Sequence, residues 1–149
     1  MNTQAQYLKA IYLVQRAEDA PASTGGVARR LDVSPASVNE MIGKLERNGL
    51  VDHEKYQGVA LTDDGIQRAE AALETYCIIQ RFLLEVLEVE DGFRTEARQL
   101  ESVIDERVAG RLDTIIDRSP SCPDCFDAEA DVCGLLCDRV ATETSELAD

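Results

Sequence analysis

A serine followed by a proline at positions 34 and 35 specifies the start of one helix unusually well. Ser34 is a good N-cap, and Pro35 falls at the first helical position, where its missing N–H costs nothing. Val38, Met41, Ile42 and Leu45 then recur at helical spacing as a buried stripe, and Gly49 stops the helix after Asn48. Ala36, Ser37, Asn39, Glu40, Gly43 and Lys44 lie outside that stripe. The exposed N-terminal end is therefore small and polar, with no bulky side chain to keep it away from another surface.

The neighbours of this helix define an order. Tyr7, Leu8, Ile11, Tyr12 and Val14 give residues 4–17 one buried helical face, and Asp19-Ala20-Pro21 ends it. Ser23 or Thr24 caps a short second helix through about Leu31, with Val27, Ala28 and Leu31 inward; Gly25 and Gly26 weaken its start. After the third helix, Leu50-Val51 begins a strand, Gly58 marks a turn and Val59-Ala60-Leu61 returns. Thr62, with Asp63 and Asp64 behind it, opens a long helix. Helix, helix, helix, hairpin, helix is the winged helix-turn-helix order, in which the third helix enters the major groove of DNA. Ser34, Ala36, Ser37, Asn39, Glu40 and Lys44 are then the base-reading and phosphate-contacting candidates. Lys55, Tyr56 and Gln57 at the wing tip are candidates for backbone or minor-groove contact. His53, the only histidine, reads as a wing surface residue rather than a metal ligand.

A net charge of −14 argues against a nucleic-acid binder only until its distribution is seen. The first 61 residues hold seven Lys/Arg and seven Asp/Glu; the remaining eight basic and 22 acidic residues carry the whole imbalance. The acidity with few lysines suits a protein of a very salty cytoplasm, or is simply an ordinary acidic surface. At 44% apolar residues the chain can bury a core. It shows no run long enough to span a membrane and no secretory signal, so the expected compartment is the cytoplasm.

The expected architecture is mainly α: a winged helix-turn-helix over 1–62, a helical dimerisation and sensor domain over 63–118, and a cysteine-containing segment over 119–149. From Asp63 to about Glu88 the apolar positions Ile66, Ala69, Leu73, Tyr76, Cys77, Leu84 and Leu87 predict one helix of about 25 residues. A second copy is the natural cover for the stripe Ile66, Ala69, Leu73, Leu84 and Leu87, and a homodimer presents two reading helices to near-palindromic double-stranded DNA. Phe93, Ala97, Leu100, Ile104, Val108, Leu112 and Ile115 form a further inward stripe, with a break near Asp105. Residues 119–127 are turn-rich and hold Cys122 and Cys125 as C-x2-C, and Cys133 and Cys137 are expected on a short helix. Thiolates so arranged bind zinc, copper(I) or iron–sulfur clusters. Two sets are open: Cys122, Cys125 and Cys133 with the distant Cys77, or with the local Cys137. For Cys77 and Cys137 the plain alternative is a small buried apolar residue.

Gln6-Tyr7-Leu8-Lys9-Ala10-Ile11-Tyr12, Asp32 to Met41, Gly49-Leu50-Val51 and Glu54 to Thr62 resemble the diphtheria-toxin-repressor family of iron- or manganese-dependent transcription regulators. The resemblance covers about residues 4–117 and is most specific in the first 62. With its acidic composition and cysteine tail the chain looks most like the SirR-type regulators of salt-loving archaea. The resemblance implies a homodimer of winged helices. It also implies ligands from the first helix, the end of the long helix and the helix after it. Those positions fall here on Gln6 and Lys9, on Tyr76 and Gln80, and on Arg94, Arg98, Glu101 and Ser102. Glu101 alone keeps a charged oxygen, so the usual site for Fe²⁺ or Mn²⁺ is expected to be dismantled.

The expected function is sequence-specific regulation of transcription in response to iron, oxygen or redox state. It would act through a cysteine-held centre formed by Cys77, Cys122, Cys125 and Cys133. An iron–sulfur cluster is favoured, with zinc as the alternative and Cys137 or Glu101 as substitute ligands. A DNA-binding protein with a purely structural or zinc-sensing four-cysteine site is the rival. An enzyme is not expected: one histidine and no catalytic constellation leave little acid–base equipment.

Overall fold

The computed structural model describes residues 3–18, 21–54, 58–116, 126–129 and 131–133. The chain divides into two compact units, Met1–Leu73 and Glu74–Asp149. The order is α1 (Thr3–Glu18), α2 (Thr24–Leu31), α3 (Pro35–Arg47), β1 (Val51–Glu54), β2 (Gly58–Leu61), α4 (Asp63–Arg81), α5 (Phe93–Val103), α6 (Glu106–Asp113), β3 (Phe126–Asp127) and β4 (Val132–Cys133). The winged helix-turn-helix order and the helical second half are as the sequence predicts.

In the first unit each element begins on a local chemical reason. Ser23 caps α2 by accepting from the Gly26 N–H at 3.0 Å. Asp32 ends α2 in the left-handed conformation (φ 55, ψ 50), and the Val33 N–H closes the turn onto the Ala28 carbonyl at 3.0 Å. Ser34 caps α3 by accepting from the Ser37 N–H at 3.1 Å, with Pro35 behind it as expected. Leu8 and Ile11 of α1, Val27 of α2, and Val38, Ile42 and Leu45 of α3 close over Leu50, Val51 and Val59. Met41 is only half-buried.

The wing is antiparallel, with Val51 opposite Leu61 and Glu54 opposite Gly58. Ala22 adds a short third edge: its N–H donates to the Val59 carbonyl at 2.8 Å and its carbonyl accepts from the Val59 N–H at 2.9 Å. Gly58 lies at φ +96, where a Cβ would stand 2.4 Å from the Ala22 carbonyl oxygen. Only glycine suits both the conformation and the approach. Thr62 joins three elements. Its Oγ1 donates to the Gly49 carbonyl at 2.8 Å and accepts from the Gly65 N–H at 3.2 Å, while its N–H donates to the Leu50 carbonyl at 3.0 Å. A Cβ on Gly65 would lie 2.0 Å from the Leu50 carbonyl oxygen, so α4 starts in direct backbone contact with the wing.

The second unit departs from the sequence reading in three places. The long α-helix ends at Arg81, and Phe82–Val86 continue as a π-helical turn, with the Leu87 N–H reaching the Phe82 carbonyl at 3.1 Å. The extra residue in that turn shifts the helical phase by about 100°. Leu87, expected inward, is consequently 53% exposed. The break before α6 is present, with Asp105 capping the Val108 N–H at 2.9 Å. Ile104 is extended, however, so the stripe does not run through, and Leu100, Val108 and Ile115 are exposed rather than inward. Cys133 lies in β4, not on a helix: β3 and β4 pair Phe126 with Cys133 and Asp127 with Val132, and Val132 and Phe126 are buried. Cys137 lies outside the described residues.

Candidate functional site

On α3, Ala36, Ser37, Asn39, Glu40 and Lys44 are all exposed, as is Ser34 at its cap. The Ser34 hydroxyl is engaged twice, accepting from the Ser37 N–H and donating to the Ser37 Oγ at 3.0 Å. The cap is therefore formed before any partner arrives, and it orients Ser37. Glu40 and Lys44 stand 3.9 Å apart as an exposed i,i+4 pair, an arrangement worth a few tenths of a kcal/mol (~0.3–0.5) and easily exchanged for another partner. The His53 N–H donates to Glu46 at 3.1 Å, which ties the first wing strand to α3, and His53 itself is exposed. Lys55, Tyr56 and Gln57 lie outside the described residues. Composition-led reading passed over Arg29, Arg30 and Arg47. These are exposed cations in the last turns of α2 and α3, and their position at helix ends was the available signal.

The second unit holds a polar node. The Tyr76 hydroxyl on α4 donates to Asp131 Oδ2 at 2.9 Å, and Gln80, one turn on, donates through Nε2 to the Asp131 carbonyl at 2.9 Å. The Arg98 guanidinium on α5 pairs with the same Asp131 carboxylate oxygen. The Phe126 ring lies against Tyr76, centroids 6.0 Å apart and tilted by 50°. Tyr76 and Gln80 are fully buried, while Arg98 is more than half exposed at its side chain. Burial first, and then the Asp131 carboxylate, push the Tyr76 phenol far above its ordinary range, so it stays a neutral donor. Burial pulls the Arg98 guanidinium down, but Asp131 and Tyr76 more than compensate and the net shift is upward. Asp131 itself sits in the left-handed region at φ 54.

These residues do not suit a divalent cation. Such an ion needs lone pairs from carboxylate, imidazole, carbonyl or thiolate. At the positions read from the sequence, Tyr76 and Gln80 present donors and Arg98 presents a positive charge. Glu101 is buried on α5. Gln6 is half-buried and Lys9 buried, both on α1. Among the described residues no three His, Cys, Asp or Glu side chains converge. Of the thiolate set, Cys77 is buried beside Tyr76 on α4 and the Cys133 backbone is in β4. Cys122 and Cys125 lie outside the described residues. Asp131, which organises the node, had no local signal in its acidic surroundings.

Residues 1–59 match the iron dependent repressor N-terminal DNA binding domain, and residues 62–126 match the iron dependent repressor metal binding and dimerisation domain. An HTH-type transcriptional regulator of Methanocaldococcus jannaschii, MJ0568, is 33% identical over 113 residues, covering 75% of this chain and 90% of that protein. The HTH-type transcriptional regulator MntR of Oceanobacillus iheyensis is 36% identical over 70 residues, 47% of each chain. The structure of the manganese regulator SloR superposes with a TM-score of 0.68 at 30% identity, over 80% of this chain and 56% of that one. The chain thus spans about half the length of these last two relatives. No helix among the described residues is long and apolar enough to cross a membrane. The matched family binds DNA through its N-terminal domain and dimerises through its C-terminal, metal-binding domain, and its members are regulators rather than enzymes. With both domains matched in order along the chain, this protein belongs to the iron-dependent repressor family of transcription regulators, the diphtheria-toxin-repressor family that its sequence resembles.

Proposed function

We propose that this chain is a cytoplasmic, sequence-specific transcription regulator that binds near-palindromic double-stranded DNA as a homodimer. The carrying observation is α3, whose capped N-terminal end leaves Ala36, Ser37, Asn39, Glu40 and Lys44 exposed together with Ser34. Asn39 and Ser37 read base edges, Lys44 meets phosphate, and Lys55, Tyr56 and Gln57 follow the backbone or minor groove. The reading part is residues 1–62, the dimerisation and sensor part 63–118. Of the stripe offered for the dimer face, Ala69, Leu73 and Leu84 are buried within the chain and Leu87 is exposed. Val86, Leu87, Leu100, Val103, Val108 and Ile115 are large, apolar and exposed in the second unit, and in this reading they supply the surface. Selection of bound sequences from a random duplex pool tests the reading. Asn39→Ala should relax preference at one base pair by about 1–3 kcal/mol, and an unchanged preference profile for both Asn39→Ala and Ser37→Ala would remove α3 as the reader.

The proposed effector is a centre held by thiolates, Cys77, Cys122, Cys125 and Cys133, with an iron–sulfur cluster favoured and zinc with Cys137 the alternative. Support comes from two facts: Cys77 is buried on α4, and the hairpin that carries Cys133 returns to Tyr76 and Gln80 on that helix. Elemental analysis and an anaerobic absorption spectrum of Cys77→Ala and Cys137→Ala separate the two. Full metal content in Cys77→Ala with loss in Cys137→Ala favours zinc.

A further inference from the structure

In the hairpin β3–β4, Asp131 makes polar contacts with two helices of the second unit. Asp131 offers its carboxylate to the Tyr76 hydroxyl and to Arg98, and its carbonyl to Gln80, so α4 and α5 are bridged by a segment 33 to 55 residues away along the chain. Phe126 seats the other strand on the Tyr76 ring, and Val132, beside Asp131, is fully buried. Every partner is matched in kind. Two buried donors and one guanidinium meet one carboxylate and one carbonyl, which is how a ligand is held rather than how a chance surface contact looks.

We propose that Asp131 is a built-in ligand: it docks the C-terminal hairpin on α4 and α5, and with Arg98 supplying the positive charge it takes the place that a divalent cation holds in this family. The position is thereby closed to metal. The bridge between the two helices is made by the chain's own tail, so docking and release of the hairpin is the variable that sets this part of the second unit. Without Arg98, the Asp131 carboxylate and carbonyl would still meet the neutral donors Tyr76 and Gln80 but would lose this cation. A divalent ion arriving with Arg98 present would meet a fixed like charge. The cation and the anion of the node therefore belong together, and the pairing explains why an arginine stands where a ligand is expected. This holds whether or not the cysteines bind a centre, and the test separates the two.

The experiment uses the full chain, freed of metal with chelator, and reads hydrogen exchange of the hairpin amides by mass spectrometry, with the amides of α1 to α3 as the control for folding. The hairpin should be protected without metal, and 1 mM Mn²⁺, a hard ion poorly suited to thiolates, should leave that protection unchanged. Asp131→Ala and Arg98→Met should each speed hairpin exchange at least tenfold, and the double variant should be little faster than either single one. Arg98→Lys should restore part of the protection. Cys77→Ala should leave it intact. Three results would overturn the proposal. One is micromolar Mn²⁺ binding by the unaltered chain that Asp131→Ala abolishes. Another is unchanged hairpin exchange in both Asp131→Ala and Arg98→Met. The last is release of the hairpin by Cys77→Ala but not by Asp131→Ala, which would give its docking to the thiolate centre.

Discussion

The helix starts of the first unit are set by near neighbours, whereas the polar node of the second is set by a distant residue. In the first, the capping and closing bonds join near neighbours: Ser23 to Gly26, Ser34 to Ser37, Thr62 to Gly65, with the wing folded on itself. In the second, the defining bonds run from Asp131 back to Arg98, Gln80 and Tyr76. Local bonds set the shape of a reading head whose partner, the DNA groove, has a fixed geometry. Distant bonds make the second unit depend on whether a remote segment is in place, which is a useful property for a part that must respond. The lesson is that the first unit announces its helix starts locally even though long-range bonds such as Ala22 to Val59 and Gln15 to Leu61 also close it, while the node of the second unit has no local announcement.

That contrast can be broken at several points. Gly65→Ala carries the largest expected effect, since the added carbon meets backbone that cannot swing aside. A loss of about 3 kcal/mol in urea unfolding is expected, and a loss below about 1 kcal/mol would show that the wing gives way freely and that the first unit is softer than its bonds suggest. Tyr76→Phe deletes one hydroxyl from the node and keeps the ring. Amides of residues 74–116 should lose about 1–2 kcal/mol of protection while those of α1 to α3 keep theirs. Equal losses in both units would erase the distinction. Ser34→Ala removes the α3 cap and should cost about 1 kcal/mol in thermal unfolding, with Ser34→Asp recovering most of it. Lys44→Met should change stability by less than about 0.5 kcal/mol yet reduce the salt slope of DNA binding by about one; an unaltered slope would place Lys44 off the phosphate track.

The same division governs what the sequence discloses. Ser34-Pro35, Gly49, Gly58 and Thr62 each state a backbone requirement within a few residues, so the order of α1 to α4, nearly the bounds of α1 to α3 and the start of α4 can be read directly. The second unit hides its key features because nothing local announces them. No residue type signals a π turn at Phe82–Val86, so Leu87 keeps its place in a periodic stripe although the helix has shifted phase beneath it. Asp131 is one acid among many, and only the fold pairs it with Arg98. The departures Tyr76, Gln80 and Arg98 were legible as misfits for a metal, yet the residue that resolves the misfit was not.

Thr62 has a mechanical consequence. One threonine clamps the end of α3 at Gly49, the start of the wing at Leu50 and the first turn of α4 at Gly65. Gly65 is in backbone contact with Leu50 at the same point. A twist applied to the first turn of α4 therefore acts directly on the foot of α3 and the root of the wing. The foot of α3, the root of the wing and the first turn of α4 are thereby coupled through one residue.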